Sequence, residues 1–344
     1  DTISENTSAN GVAVDGVTLK DGAVGAAGTA TSVAGIPFYS ADNSIYTHDV
    51  SGTDSTASFN TAYGLTAMDA ITTGDRNTAI GYGAGGALTV ATDCVFVGRQ
   101  AGVATTEGTN STFVGSDAGG AVTTGLRNTM IGAAGWQFDT ESDNMGIGHN
   151  ALAGAVAGGE YNVAIGNYAL DALTSADYNT AIGYNAGTAI TTGAKNTILG
   201  AEAGEALLST PLNVIIGYGA GKASTTGAYN VIVGAEAVTT GVLTGNSNVI
   251  MGKGAATNAT SAAENVVIGQ DAVGTGVMTS AYNVIVGKDA AKTATSMSES
   301  IAIGYQAAEQ NTAGSNVIAI GYTAYDNADT ENHNLAIGTS ALGG

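Results

Sequence analysis

The stretch NTAIGYGAG at residues 77–85 returns as NTAIGYNAG at 179–187, and both belong to a period that runs through most of the chain. A large apolar residue followed by glycine recurs at Gly64, Gly81, Gly98, Gly115, Gly132, Gly148, Gly166, Gly183, Gly200, Gly217, Gly234, Gly252, Gly269, Gly287, Gly304, Gly321 and Gly338. These 17 glycines lie 16 to 18 residues apart, mostly 17. A fixed short period is the signature of stacked structural repeats.

The columns around that glycine are as regular as the glycine itself. Four residues before it, 13 of 17 copies carry Asn, with Cys94, Ser111, Ser300 and Val317 as the exceptions. The residue just before it is large and apolar throughout, and three residues after it stands Ala in 16 copies, Gly135 being the departure. The run from Asn to Gly is rich in β-branched residues and predicts a strand. Strand side chains alternate between faces, so positions −3 and −1 point one way and −2 and 0 the other. Position −2 is apolar or glycine in every copy (Ala79, Phe96, Met130, Ile215). Both faces therefore avoid water, as in a sheet covered on each side.

A coil of this length covers one face with its own second half. That half is Ala, Thr, Ser and Gly, often ending in Thr-Thr-Gly (123–125, 191–193, 225–227), and predicts a turn and a short, weakly apolar strand. The other face is expected to meet further copies of the same chain. Small columns, Gly81, Gly183 and Gly217 with Ala84, Ala186 and Ala220, are expected to let packed backbones approach closely. The Asn column, with Asn77, Asn128, Asn179, Asn196 and Asn230 in it, predicts a ladder of side-chain amides bonded above and below. The expected fold is all-β: a parallel β-roll or β-helix solenoid of about 17-residue coils, assembled as an obligate oligomeric rod. Stacked at the inter-strand spacing, seventeen rungs make roughly 75–80 Å.

Composition limits what such a chain can do. Of 344 residues 11% are charged, and the formal net charge is −20. A surface so acidic repels nucleic acid and anionic membranes, and no apolar run has the length of a membrane span. Cys94 is the sole cysteine and His48, His149 and His333 are scattered, so neither a disulfide framework nor a metal cluster is expected. No catalytic residue, metal or cofactor is assigned. Opening on Asp1, the chain reads as a processed or partial product.

Residues 1–59 do not follow the period and read as a β-rich connector ahead of the repeat domain, 60–344. Within them NGVAVDGVTLKDG (10–22) alternates apolar residues about Asp15-Gly16, a hairpin signal.

The Asn-x-x-Ile-Gly-x-x-Ala cassette resembles the head repeats of YadA-like trimeric autotransporter adhesins. Its pairing with TSANGVAVDGVTLKDG (7–22) is more similar still to tail-fibre and appendage proteins of phages, cyanophages included. The resemblance implies left-handed parallel β-rolls packed as homotrimers. It also implies fibre or virion components docking at the N-terminus, and a place on the virion or outside the cell. The coil here is longer than that of the adhesin heads, and neither a coiled-coil stalk nor a membrane anchor is legible. The missing anchor counts against an autotransporter.

The expected function is thus a structural fibre that reaches a host surface. Tyr82, Tyr184, Tyr218, Tyr305 and Tyr322, each directly after a repeat glycine, are candidates to stack on host glycan rings, or else to cover chain-to-chain seams. A bacterial trimeric surface adhesin or extracellular filament is the alternative. A glycan-cleaving spike ranks lower. Its nominal carboxylates are Glu202 with Glu205 or Asp117 with Glu236, but acidic residues recur two after the glycine (Asp117, Glu202, Glu236, Asp271, Asp289) and are better read as a solvated acidic ridge. An ice-binding face ranks lowest, because Thr reads as turn residues and not as one flat column.

Overall fold

The computed structural model describes five short strands within residues 12–46, and residues 55–342 apart from 134–138, 155–157 and 327–331. Gly135 and the turn residues Asp15 and Gly16 lie outside them. The chain divides into two compact units, Asp1–Asn128 and Thr129–Gly344, and both are parallel β-solenoids with no helix among the described residues.

Each coil carries one three-residue strand ending just before the repeat glycine, Thr78–Ile80 and Val95–Val97 in the first unit, Thr180–Ile182 and Thr197–Leu199 in the second. Successive strands pair in parallel without slip, as Thr180↔Thr197, Ala181↔Ile198 and Ile182↔Leu199. The side chain at −2 points into the coil and is buried, while those at −3 and −1 face outward. The rest of the coil closes by turns and bends. The weakly apolar second strand expected there is not formed among the described residues, where the pairing outside the named strands is the bridge Ala263↔Ala281. Its Thr hydroxyls bond main-chain carbonyls one coil on, as Thr72 to Thr89 and Thr89 to Thr106.

Tight corners make so short a coil possible. The residue before the Asn column is left-handed in copy after copy, with φ 59° at Tyr178 and 61° at Lys195. Such residues cost on the order of 1–3 kcal/mol each and persist where surrounding structure over-determines them. Bonds from the neighbouring coil do that here: Tyr178 N–H donates to Glu160 O at 3.1 Å and Lys195 N–H to Asp177 O at 2.9 Å.

The parallel ladder of the first unit starts earlier than the periodicity indicates. Ser44–Tyr46 pairs in parallel with Thr61–Tyr63, so a further rung precedes Gly64. Tyr46 fills the inner position and Ser44 replaces the Asn, its Oγ accepting Asn60 N–H at 2.9 Å. This rung ends in Thr47-His48 in place of an apolar residue and glycine, which hides it from the pattern. On its other side Ile36–Ala41 pairs antiparallel, so the first rung does not present a free edge. Val12–Val14 and Val17–Leu19 form an antiparallel pair.

The Ala column corrects the expectation of chain-to-chain packing. Ala84, Ala186 and Ala220 are fully buried inside their own coils. The glycine column also packs within the chain: a Cβ on Gly183 would be driven into the carbonyl of Gly200. Both columns are small because consecutive coils of one chain touch there.

Core volume is shared between position −2 and position +4. Ala181 with Gly187 and Ile232 with Val238 do not alternate, but in several coils a large residue at −2 is matched by glycine or alanine at +4 (Phe96 with Gly102, Ile215 with Gly221, Ile250 with Ala256) and in others a small one by a large partner (Ala62 with Met68, Ala164 with Leu170). Gly102 shows why, since its Cβ would lie 2.7 Å from the Phe96 ring. Gly102→Leu is expected to cost about 2–3 kcal/mol by overpacking and Phe96→Ala about 3–5 kcal/mol by leaving a cavity. The double variant, which copies the Ala164–Leu170 arrangement, should recover at least about 2 kcal/mol of their sum. Denaturant melts of the four proteins give the coupling, and simple additivity would refute the shared volume.

Candidate functional surface

The Asn column is interior and its bonding is internal. Asn179 donates its main-chain N–H to Asn162 Oδ1 at 2.9 Å and its Nδ2 to the same oxygen at 3.3 Å. Its own Oδ1 accepts the N–H and Nδ2 of Asn196 at 2.9 and 3.1 Å. A second bond was not foreseen from sequence. Asn196 Nδ2 also donates to Thr210 O at 3.0 Å, 14 residues ahead, and Asn77 and Asn230 reach Ala91 O and Gly245 O in the same way. Each such Asn thus links consecutive coils and staples the start of its own coil to the end.

The exceptions do part of each task. Ser111 Oγ accepts Asn128 N–H at 3.3 Å and Ser300 Oγ accepts Val317 N–H at 3.1 Å. Cys94 Sγ donates to Gly108 O at 3.0 Å, 14 residues ahead. Burial pushes the Cys94 thiol up to about 11, far from the thiolate that nucleophilic chemistry needs.

What remains for function is the outward side of the strands. Positions −3 and −1 set Val, Ile, Leu and Thr side by side, and Ile80, Val95, Leu199, Met251, Ile303 and Ile318 are among those left exposed. Two further columns border this strip. Directly after the glycine stand Tyr82, Tyr184, Tyr218, Tyr305 and Tyr322, all 40–56% exposed. At the left-handed corner stand Tyr161, Tyr178, Tyr229 and Tyr282, 45–59% exposed. The dipeptide Tyr-Asn, repeated at all four of these positions, was the available signal. Rings on adjacent rungs lie face to face, Tyr161 on Tyr178 at 4.9 Å and 5° and Tyr305 on Tyr322 at 5.5 Å and 18°. Parallel stacking follows from the inter-strand spacing. An apolar strip with aromatic margins is thus exposed on successive coils.

The carboxylates named from sequence are mostly spoken for. Glu202 and Glu205 converge on Lys222, whose Nζ lies 2.6 and 3.3 Å from them, and their hydrogen bonds raise the Lys222 pKa. Asp117 pairs with Arg99, and it lies in a different unit from Glu236. Asp289 departs from the expected exposed ridge: it is buried, with Lys292 Nζ at 3.3 Å. Among the described residues no three of His, Cys, Asp and Glu gather as metal ligands would, and no helix is long and apolar enough to cross a membrane.

Arg76 clasps Asp93 one coil on, at 2.6 and 2.8 Å. That hydrogen bond, with the guanidinium charge, holds the Asp93 carboxyl below its ordinary value. A lowered folded pKa means the stabilisation is present above the unfolded value near pH 3.9 and disappears as pH falls through the folded one. The pair is solvent-exposed, so the effect is small and salt-sensitive. Melts between pH 6 and 2 should show Arg76→Gln differing from the parent above pH 4 and converging with it in acid. A constant offset across that range would reject this assignment.

No protein-family model matches the chain, and no curated protein matches it.

Proposed function

We propose that this chain is a structural fibre protein, a segment of a viral tail fibre that attaches to a host cell surface. In this reading it assembles as a homotrimer, joins other fibre or virion components through its N-terminal region and acts outside the cell. The observation that carries the reading is the uncovered apolar strip with its tyrosine margins. A coil whose polar ladder and small residues are all turned to its own closure has this side left for partners. The acidic surface keeps so repetitive a particle soluble. Where they stay exposed in the assembly, tyrosine rings suit stacking on the apolar faces of sugar rings.

Two measurements test this. Light scattering on the purified chain, before and after mild heating, should return a heat-resistant mass of three chains. Labelled protein should also bind intact cells from a panel of bacteria, cyanobacteria among them, and lose binding when those cells are stripped of surface glycans. A stable monomer, or an oligomer that binds none of the cells, overturns the proposal.

A further inference from the structure

We propose that the stacked tyrosine pairs Tyr161–Tyr178 and Tyr305–Tyr322 are sites of oxidative modification, each closing to a dityrosine bond that joins consecutive coils of one chain. This goes beyond the fibre reading and stands on the single chain.

The first support is geometric. The Tyr161 and Tyr178 rings lie 4.9 Å apart and 5° from parallel, and those of Tyr305 and Tyr322 lie 5.5 Å apart at 18°. Each pair occupies one column on neighbouring rungs, so the main chains that carry the rings are themselves bonded. Tyr178 N–H donates to Glu160 O at 3.1 Å, and Asn179 beside it is held on Asn162. Thr323 N–H donates to Tyr305 O at 3.0 Å, and Ile303 pairs with Ile320 just ahead of the second pair. The rings therefore stay neighbours for as long as the coils stay stacked. All four are 40–55% exposed, open to an oxidant and free to turn about their side-chain torsions.

The second support is that the pairing is selective. Tyr82 stands between Leu65 and Arg99 in its column, Tyr218 between Ala201 and Ala235, and Tyr229 between Leu212 and Ser247. Tyr184 meets Tyr168 from a different column, at 6.1 Å and 90°, with no shared stack to align the two rings. Tyrosines in the same two columns thus serve as internal controls.

The oxidant is hydrogen peroxide turned over by a haem peroxidase. It takes one electron and the phenolic proton from each ring, and the peroxide is reduced to two molecules of water. The two phenoxyl radicals join through ring carbons ortho to oxygen, forming one C–C bond. The hydrogen on each of those carbons moves to its own phenol oxygen, so both rings recover their aromaticity and the chain ends two hydrogens lighter. A radical on either ring has its partner as first neighbour, at an effective concentration far above that of a second molecule. The partners are 17 residues apart in both pairs, so each bond closes a loop of one coil. Such a link removes freedom from the unfolded chain and adds a covalent tie to a stack otherwise held by nearest-neighbour contacts.

The test treats the dilute full chain with a haem peroxidase and hydrogen peroxide. Products are read by dityrosine fluorescence, by denaturing gel and by mass spectrometry of peptides cut after Asp and Glu. Asp171 and Asp177 separate Tyr161 from Tyr178, and Glu309 separates Tyr305 from Tyr322. The treated chain should migrate as a monomer and yield linked peptides two hydrogens lighter than the sum of their halves. Tyr161→Phe should remove the first link and Tyr305→Phe the second, because a ring without the hydroxyl gives no phenoxyl radical. The double variant should lose dityrosine fluorescence several-fold, while Tyr218→Phe with Tyr229→Phe keeps it. Circular dichroism checks that each variant folds. After identical treatment the parent should unfold at higher urea than the double variant.

Dityrosine that survives in the double variant, or that is found chiefly in covalent multimers, would overturn the proposal. So would a folded parent chain that gives none while free tyrosine in the same mixture couples.

Discussion

Gly183→Val should unfold the coil that carries it, lowering stability by about 4–5 kcal/mol, the range reached where backbone strain and overpacking coincide. Gly183 has φ 140°, and a Cβ there runs into the carbonyl of Gly200 on the next coil. The backbone conformation alone costs a β-branched residue roughly 1–3 kcal/mol, and the collision cannot be relieved by a rotamer because the obstacle is main chain. The coils stack through nearest neighbours, so the variant loses pairing on the Gly200 side and exposes the ladder there. The melting temperature is expected to fall by on the order of 10 °C or more. Tyr184→Val, one residue away but outward-facing, should change it little. If close packing of separate chains required this glycine, Gly183→Val would yield folded monomers with an unchanged β-sheet spectrum. The intrachain contact predicts loss of that spectrum on milder heating, and a variant that melts with the parent would refute it.

Removing one amide from the ladder is the second large effect. Asn179→Leu leaves the buried Asn196 N–H without its acceptor, and takes one of two bonds from each of Asn196 Nδ2 and Asn162 Oδ1. The unpaired N–H costs about 1–3 kcal/mol and each of the other two lost bonds about 1 kcal/mol, so a total of roughly 3–4 kcal/mol is expected, less what the Leu side chain gains by burial. Asn179→Ser should cost about half as much, because Ser300 Oγ takes the next N–H in just this place. Chemical denaturation of the three proteins ranks them. Equal losses for Ser and Leu would show that shape and not bonding selects Asn here. Hydrogen exchange adds a spatial check: the amide of Asn196 should lose protection before those several rungs away.

Much of this architecture was readable in advance because it repeats. The strand at −3 to −1, the parallel pairing and the buried amide ladder each need the same residue in many coils, so periodicity exposes them. Features that vary between coils were harder. The rung at Ser44–Tyr46 lacks the glycine, so the period alone does not separate it from the connector. The exchange of volume between Phe96 and Gly102, or Ala164 and Leu170, is visible in the sequence only once the structure says that −2 and +4 share one interior. The left-handed corners were also missed, because Arg76, Lys195 and Leu212 have no preference for that conformation; it is held by bonds from neighbouring coils. The corner tyrosines went unnoticed for the same reason, although their Tyr-Asn pairing recurs.

Periodicity alone establishes a stack of about 17-residue coils, since Asn, β-branched residues and Gly in fixed places put a strand at the same point of every coil and stack it in register; that this is the coil's one strand is not legible there. It also places apolar residues on both faces of that strand. Which of the two faces turns inward is legible only in the folded coil. Small columns suit close approach equally well between coils of one chain and between separate chains, and alternation along a strand does not say which side is inward. Closure of the coil settles it. The corners turn −2, +3, +4 and the Asn inward against the neighbouring coils, and this leaves −3, −1 and the two tyrosine margins as the surface on which a partner can act.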